Sequence, residues 1–150
     1  MALIDDLDRQ IIDALQENGR APNGVVGRAV GVTEPTVRRR LKRLISEGII
    51  RVAALPSLEA LGLRTEALVG IQADPGKIDS VATDLIALKE VSLVVQATGS
   101  FDFFVWVAFP STAELDAFLT TKLRAIAGIR RTETFVSLSV WKRTYAIRLG

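Results

Sequence analysis

The stretch T-E-P-T-V-R-R-R-L-K-R-L-I at residues 33–45 predicts an amphipathic helix with a marked start. Thr33 is a good N-cap, a proline suits the first turn, and Gly48 closes the far end. At about 100° per residue, one side of this helix is apolar. That side carries Val37, Leu41, Leu44 and Ile45. The helix can therefore pack on a core through this side.

The opposite side of the same helix is densely basic. Five of the six positions from 38 to 43 are arginine or lysine. The side chains expected to point away from the core are those of Thr36, Arg39, Lys42 and Arg43, with Arg38 and Arg40 on the flanks. Such a helix suits a DNA groove, where Arg and Lys meet phosphates and Arg reaches guanine edges. A solvated basic face is the other interpretation, and the helix alone does not decide between them.

Composition limits the class of protein. The chain has 150 residues, of which 49% are hydrophobic and 24% charged, as is typical of a globular protein. It has no cysteine and no histidine, which argues against disulfides, thiolate metal sites and the usual neutral-pH base. The apolar stretches are too short to cross a membrane, and the N-terminus does not resemble a signal peptide. We expect a cytoplasmic protein with no metal, no cofactor and no membrane partner.

The positive charge is local. The net charge is only +2, and residues 56–150 hold 10 basic and 10 acidic side chains. Residues 1–55 hold 9 basic against 7 acidic, and the excess lies mainly on the helix at residues 33–45. A local patch of positive charge argues for a docking site and against nonspecific electrostatic binding over the whole surface.

Two further helices are expected before this basic helix. The first is capped by Asp5 or Asp6 and runs to about Glu17. The second, at residues 25–30, is weak because Gly24 and Gly27 each cost about 1 kcal/mol relative to alanine. A short helix, a tight turn with glycine and a basic helix form a helix-turn-helix. Residues 49–55 are predicted to form a strand, either a short wing or the way out of the domain.

The remaining chain alternates between strand and helix patterns. Strands are expected at residues 65–73, 91–98, 103–109 and 131–140, the last with a possible continuation to Ile147. Helices are expected between the first two strands and between the last two. This order is that of the ferredoxin-like split unit. The third strand is apolar on both sides, which predicts that the sheet pairs with a second copy as an isologous dimer.

The predicted fold class is therefore α+β. A helix-turn-helix domain, winged-helix-like, occupies residues 1–50, a linker strand and hinge residues 51–64, and a ferredoxin-like βαββαβ domain residues 65–150. The second domain is expected to hold the copies of an oligomer together.

The sequence resembles the leucine-responsive/asparagine-operon (Lrp/AsnC, feast/famine) transcription regulators along essentially its whole length. In the N-terminal half the matching residues are Ile4-Asp5, Asp8, Ile11-Ile12, Leu15, Asn18-Gly19-Arg20, Thr33-x-x-Thr36-Val37-x-Arg39-Arg40-Leu41-x-Arg43-Leu44 and Gly48-Ile49-Ile50. In the C-terminal half they are Gly99-Ser100-Phe101-Asp102 and Gly128-Ile129-x-x-Thr132-Glu133-Thr134.

The resemblance implies double-stranded DNA as a partner, and homodimers that assemble to tetramers or octamers. It also implies a small-molecule effector, usually an amino acid, bound in clefts between ferredoxin-like domains. Two positions depart from the family pattern. The second helix lacks the usual glutamate-leucine-alanine signature, and Ser100 stands where aspartate is common, so neither leucine nor asparagine is assumed as the ligand.

Two sets of candidate site residues follow. The predicted DNA contacts are Thr33, Thr36, Arg38, Arg39, Arg40, Lys42 and Arg43. The predicted effector contacts are Gly99, Ser100, Phe101, Asp102, Thr132, Glu133 and Thr134. No catalytic residue and no metal ligand is predicted.

Each set has a structural alternative. Arg40 could instead pair with an acid of the first helix, such as Asp13 or Glu17, and Thr33 could act only as a cap. Gly99 could simply permit the hairpin turn, and Asp102 could cap that turn. Threonines are also ordinary strand residues.

Three functions are compatible with these patterns. A sequence-specific transcription regulator tuned by an amino acid ranks first. A weakly specific DNA-compacting protein ranks second. A dimeric ferredoxin-like enzyme is a distant third, because the chain supplies no histidine, no cysteine and no close group of acids beyond Asp102 and Glu133.

Overall fold

The structure, a computed structural model, describes residues 4–143. The described chain divides into two compact units, an N-terminal unit that ends at Leu55 and also includes Lys142 and Arg143, and a C-terminal unit of Pro56–Trp141. Helices form the N-terminal unit, and a four-stranded sheet with helices forms the C-terminal unit. The predicted α+β class is confirmed. Within the described range, no helix is long and apolar enough to cross a membrane.

The N-terminal unit contains three helices, as predicted. They are α1 (Asp6–Glu17), α2 (Asn23–Val30) and α3 (Glu34–Ser46). A capping box starts α1, since the Asp5 carboxylate accepts from the Asp8 N–H at 2.9 Å and the Asp8 carboxylate accepts from the Asp5 N–H at 3.1 Å. The shared core consists of Ile11, Ile12, Val26, Val37 and Leu44.

The turn between α2 and α3 explains a glycine that was expected only to weaken α2. A Cβ at Gly27 would lie 2.6 Å from the carbonyl oxygen of Val32, so only glycine lets the turn pass this close to the helix. The Val32 N–H donates to the Gly27 carbonyl at 2.9 Å, and Gly31 has a φ of +75°. Gly27 therefore fixes the tight turn of the helix-turn-helix.

The predicted strand at residues 49–55 is wrong, and residues 47–64 of the described chain contain no wing. At Gly48, which has a φ of +69°, the chain turns back. The N–H groups of Ile49 and Ile50 then both donate to the carbonyl of Leu44, and the two side chains pack on the N-terminal core. The apolar pattern here reflects this packing. The placement of Ile45 on the buried side was also wrong, because its side chain is exposed.

The C-terminal unit has the predicted order of elements. The strands are β1 (Thr65–Ala73), β2 (Val91–Gln96), β3 (Phe103–Phe109) and β4 (Ile129–Val136), in the antiparallel sheet order β2-β3-β1-β4. A 3-10 turn over Pro75–Lys77 leads into α4 (Ile78–Ala87), and α5 (Thr112–Ala117) continues as a π-helical segment over Phe118–Leu123. The last strand ends earlier than predicted, and its suggested continuation to Ile147 extends outside the described residues.

The two faces of this sheet differ in what covers them. Val69, Ile71, Val105 and Val107 are fully buried and share a core with side chains of α4 and α5. The opposite face, called the outer face below, is also apolar. It carries Leu68, Leu93, Val95, Phe104, Trp106 and Phe135. The prediction that β3 is apolar on both sides is confirmed, and Leu93 is still 53% exposed.

Candidate nucleic-acid interface and effector region

The exposed side of α3 carries a basic surface. Val37 and Leu44 anchor the helix, since both side chains are fully buried in the N-terminal core. Arg38, Arg39 and Lys42 are exposed on the side away from that core. Arg38 has a loose ion pair with Glu34, one turn earlier, at 3.7 Å. We call Arg38, Arg39 and Lys42 the basic face.

Arg40 and Arg43 lie on a different edge of α3 and face α1. Nη1 of Arg40 donates to Oδ1 of Asp8 at 3.1 Å and also bonds the Asp5 carboxylate. Nη2 of Arg43 donates to Oδ2 of Asp8. The alternative that Arg40 pairs with an acid of the first helix is therefore confirmed, but its partners are the N-cap residue Asp5 and Asp8, and Asp13 and Glu17 were the wrong candidates.

Asp8 is the central residue of this cluster. Its side chain is fully buried, whereas 23% of the Arg40 side chain and 39% of the Arg43 side chain are exposed. Both of its oxygens accept hydrogen bonds, so the buried charge is compensated. Arg43 has one buried nitrogen, Nε, without a hydrogen bond, and this atom lies 4.0 Å from a carboxylate oxygen of Glu47.

The ion pairs shift two pKa values. The hydrogen bond from Arg40 is the main cause that lowers the pKa of Asp5 from 3.8 to about 2, and the Asp8 N–H contributes next. The same bonds, to Asp5 first and then to Asp8, raise the pKa of Arg40. Both groups are therefore held in their charged forms at neutral pH.

The two threonines at the start of α3 bond each other. Thr33 holds the N-cap position, and its carbonyl accepts from the N–H groups of Thr36 and Val37 at 3.0 and 3.2 Å. The prediction that its hydroxyl caps the helix is wrong. The hydroxyl lies 3.0 Å from the hydroxyl of Thr36 and makes no capping hydrogen bond. Contact with DNA stays a prediction for both threonines and for all five basic residues of α3.

Asp8 was missed as a site residue. A signal was available in the sequence, because acids at positions 5 and 8 bracket the first turn of a helix in capping-box spacing. The sequence did not reveal that the second acid also reaches across to α3, 32 and 35 residues away.

The predicted effector turn at residues 99–102 is bound to β1 by backbone and side-chain hydrogen bonds. The Asp102 N–H donates to the Ile71 carbonyl at 2.9 Å, and Oδ2 of Asp102 accepts from the Ala73 N–H at 2.8 Å. The amide of Gln72 donates to the Ser100 carbonyl at 2.7 Å. Asp102 therefore extends the ladder of β1, a role that neither the ligand nor the turn-cap interpretation anticipated.

Phe101 lies flat on a glycine of the neighbouring strand. A Cβ at Gly70 would lie 2.8 Å from the Phe101 ring, so a side chain there would displace it. The ring also packs edge-on against Phe104 and Phe135, with centroids 5.5 and 6.3 Å apart. Gly99, with a φ of +116°, supplies the backbone conformation that the turn needs.

The three predicted residues of β4 do not share a face. Thr132 and Thr134 pair with Ile71 and Val69, whose side chains point to the helices, so both threonines face that side. Glu133 pairs with Gly70 and lies on the outer face, where Arg131 bonds it at 3.2 Å. The structure therefore brings Glu133 and Phe101 to the same glycine and places the two threonines on the other side of the sheet.

Comparison with known proteins identifies both units. Residues 4–45 match the family model of the AsnC-type helix-turn-helix domain, and residues 66–147 match the Lrp/AsnC ligand binding domain. An uncharacterised HTH-type transcriptional regulator of Pyrococcus furiosus is 41% identical over 145 residues, which cover 96% of this chain and 98% of that protein.

Solved structures agree along nearly the whole chain. E. coli AsnC has a TM-score of 0.89 and 30% identity, covering 98% of this chain and 99% of its own. A transcriptional regulator of Neisseria meningitidis, solved as a complex with L-Met, has a TM-score of 0.90 and 26% identity, covering 97% and 96%. The chain belongs to the Lrp/AsnC family of transcriptional regulators.

Proposed function

We propose that this regulator binds specific DNA sites as a homodimer and that an amino acid modulates the binding. The observation that carries the proposal is the basic face of α3, which presents Arg38, Arg39 and Lys42 to solvent on the second helix of a helix-turn-helix.

The geometry of α3 supports insertion into the major groove. Its buried residues hold the helix on the N-terminal core, and its exposed residues include the three cations of the basic face, Arg38, Arg39 and Lys42. An exposed arginine can read a guanine through two hydrogen bonds, whereas a lysine or threonine that contacts a phosphate positions the helix without reading sequence. We assign base contact to Arg39 and phosphate contact to Lys42 and Thr36.

The outer face of the C-terminal sheet supports the homodimer. Leu93, Val95 and Phe135 are each more than 40% exposed in the single chain and lie on one continuous apolar surface. A contiguous apolar surface of this kind marks an interaction site. Two copies related by a two-fold axis bury the same face on each, and this sets the spacing of two helix-turn-helix units on a palindromic site. Assembly to tetramers or octamers is part of the proposal.

The outer face also offers groups of the right charge for a free amino acid. Arg131 and Glu133 lie next to each other on β4, with 65% and 45% of their side chains exposed. A guanidinium pairs with a carboxylate and a carboxylate with an ammonium, so this pair complements both charged groups of a zwitterion. Phe101 adds an apolar surface beside them. The L-Met complex of the related Neisseria regulator supports an amino acid as ligand.

The DNA-binding proposal is tested by selecting a site from a random-sequence pool and measuring affinity by fluorescence anisotropy. Arg39→Gln should lose discrimination between the selected site and its variants, because it removes a base contact worth about 1–3 kcal/mol. Arg124→Gln, the same change at an exposed position of the C-terminal unit, serves as the control and should keep the discrimination between the selected site and its variants. A selected site bound no better than mixed-sequence DNA would favour a compacting protein.

The effector proposal is tested by sedimentation of the purified protein with each of the common amino acids. One or two of them should shift the assembly, because an effector must bind two assembly states with different affinity. Glu133→Gln should remove that shift and leave the sedimentation of the ligand-free protein unchanged. An assembly that no amino acid changes would contradict the proposal.

A further inference from the structure

We infer that Asp8 is a positioning residue that withholds Arg40 and Arg43 from DNA and so limits the phosphate contacts of α3. The inference rests on the proposed DNA binding through α3. It assigns opposite roles to the basic residues of one helix, according to whether Asp8 holds them.

The first argument is the cost of releasing the arginines. The Asp8 side chain is fully buried, and its carboxylate accepts from the Asp5 N–H, from Arg40 and from Arg43. An arginine that moved to a DNA phosphate would leave part of a buried charge without its partner. Because an uncompensated buried charge is strongly unfavourable, the pairing with Asp8 competes with the pairing with phosphate.

The second argument is the distribution of charge around α3. Two carboxylates, Asp5 and Asp8, balance the two arginines that they contact. The positive charge of the basic face is compensated much less, by the exposed ion pair of Arg38 with Glu34 at 3.7 Å. The positive potential of α3 is therefore concentrated on the basic face. Fewer free cations mean fewer sequence-independent phosphate contacts and a higher specificity ratio.

A competing role is that Asp8 presents the arginines to the DNA backbone instead of withholding them. The exposed fractions favour withholding, since 23% of the Arg40 side chain and 39% of the Arg43 side chain are exposed, against 64% for Arg38. The two roles predict opposite effects on DNA binding when Asp8 loses its charge.

The experiment compares Asp8→Asn with Asp6→Asn in the full chain. Both changes remove one negative charge from α1, but Asp6 is bonded to Arg9 and to no basic residue of α3 that the structure describes. Binding to a mixed-sequence duplex is measured by fluorescence anisotropy between about 50 and 200 mM salt. Asp8→Asn should bind this duplex more tightly and steepen the salt slope by about 0.9 for each arginine released, whereas Asp6→Asn should keep the slope.

A third variant shows whether the released arginines cause the change. Asp8→Asn combined with Arg40→Gln and Arg43→Gln should return the salt slope to that of the unaltered protein. Preference for the selected site over the mixed duplex should fall in Asp8→Asn and recover in the triple variant. If Asp8 acted only to stabilise the fold, both Asp8→Asn and the triple variant would bind the mixed-sequence duplex more weakly than the unaltered protein.

Three outcomes overturn the inference. These are a shallower slope in Asp8→Asn, a change equal to that of Asp6→Asn, and a slope that stays steep in the triple variant. Thermal unfolding establishes that each variant is folded at the temperature of measurement. If Asp8→Asn is unfolded, Arg40→Gln and Arg39→Gln are compared in the otherwise unaltered chain, and an equal loss of slope for the two contradicts the inference. Failure of the unaltered protein to bind any duplex would refute the proposed function itself.

Discussion

The two units fix their candidate sites by different means. In the N-terminal unit, ion pairs between side chains 32 and 35 residues apart decide which arginines of α3 face solvent. In the C-terminal unit, backbone hydrogen bonds and the close packing of Phe101 on Gly70 hold the turn beside β1. A charge change should therefore alter the first site, whereas a change of shape should alter the second.

Loss of the Asp8 charge should have the largest effect on stability. Asp8→Asn removes a buried carboxylate that accepts from two arginines, and we expect the N-terminal unit to lose about 2–3 kcal/mol of unfolding free energy. Urea unfolding followed by circular dichroism measures this. Asp6→Asn, at an exposed position, should have an unfolding free energy within about 0.5 kcal/mol of that of the unaltered protein. Equal losses for the two variants would show that Asp8 is not the centre of the cluster.

A methyl group at position 70 should have the next largest effect, in the C-terminal unit. Gly70→Ala places a Cβ 2.8 Å from the Phe101 ring, and overpacking of this kind costs about 1–3 kcal/mol. Gly76→Ala is the matched control, because a Cβ there meets nothing within 4 Å. The readout is urea unfolding followed by tryptophan fluorescence. A neutral Gly70→Ala would mean that Phe101 does not need the glycine.

Two substitutions at Asp102 separate its structural role from ligand binding. Asp102→Ala leaves the Ala73 N–H without its acceptor and should cost about 1–2 kcal/mol. Asp102→Asn should retain most of the stability, since an amide oxygen can still accept that bond. If Asp102→Asn also keeps the assembly response to an amino acid, Asp102 is a structural residue; if it loses the response at unchanged stability, the carboxylate contacts the effector.

The smallest expected effect is the acid sensitivity of Asp5. Because the Arg40 hydrogen bond lowers the Asp5 pKa to about 2, the stabilisation from Asp5 is complete above its unfolded-state pKa and is lost as the pH falls through about 2. Asp5→Asn should therefore show a flatter decline of Tm between pH 4 and pH 2, and should be slightly less stable at neutral pH. Parallel curves for the two proteins would contradict the assigned pairing.

Much of the fold followed from local sequence patterns. Hydrophobic periodicity predicted the three N-terminal helices and the βαββαβ order, and alternation predicted that β3 is apolar on both sides. The failures have a common physical cause: an apolar pattern in the sequence does not show which of its side chains the tertiary fold buries, or in which secondary structure. Residues 49–55 look like a strand, yet Ile49 and Ile50 pack back on the core, and Ile45 extends the apolar stripe of α3 beyond the core that covers it.

The candidate sites were less predictable, because they depend on which elements meet. The acids of α1 were visible, but the crossing of α1 and α3 selects Asp5 and Asp8 over Asp13 and Glu17. The separation of Glu133 from its two flanking threonines could have been derived from strand alternation alone. A glycine inside a strand, as at position 70, is also a usable signal of close approach.

The central claim is that the exposed side of α3 meets DNA, and the absence of cysteine from the chain allows a direct test. Pro35 and Pro75 are both exposed prolines in the first turn of a helix, one in α3 and one in the C-terminal unit. The rate at which a thiol reagent modifies Pro35→Cys and Pro75→Cys is measured with and without saturating duplex. Our account predicts that DNA slows modification at position 35 and leaves position 75 unchanged. Protection at position 75 with none at position 35 would contradict it.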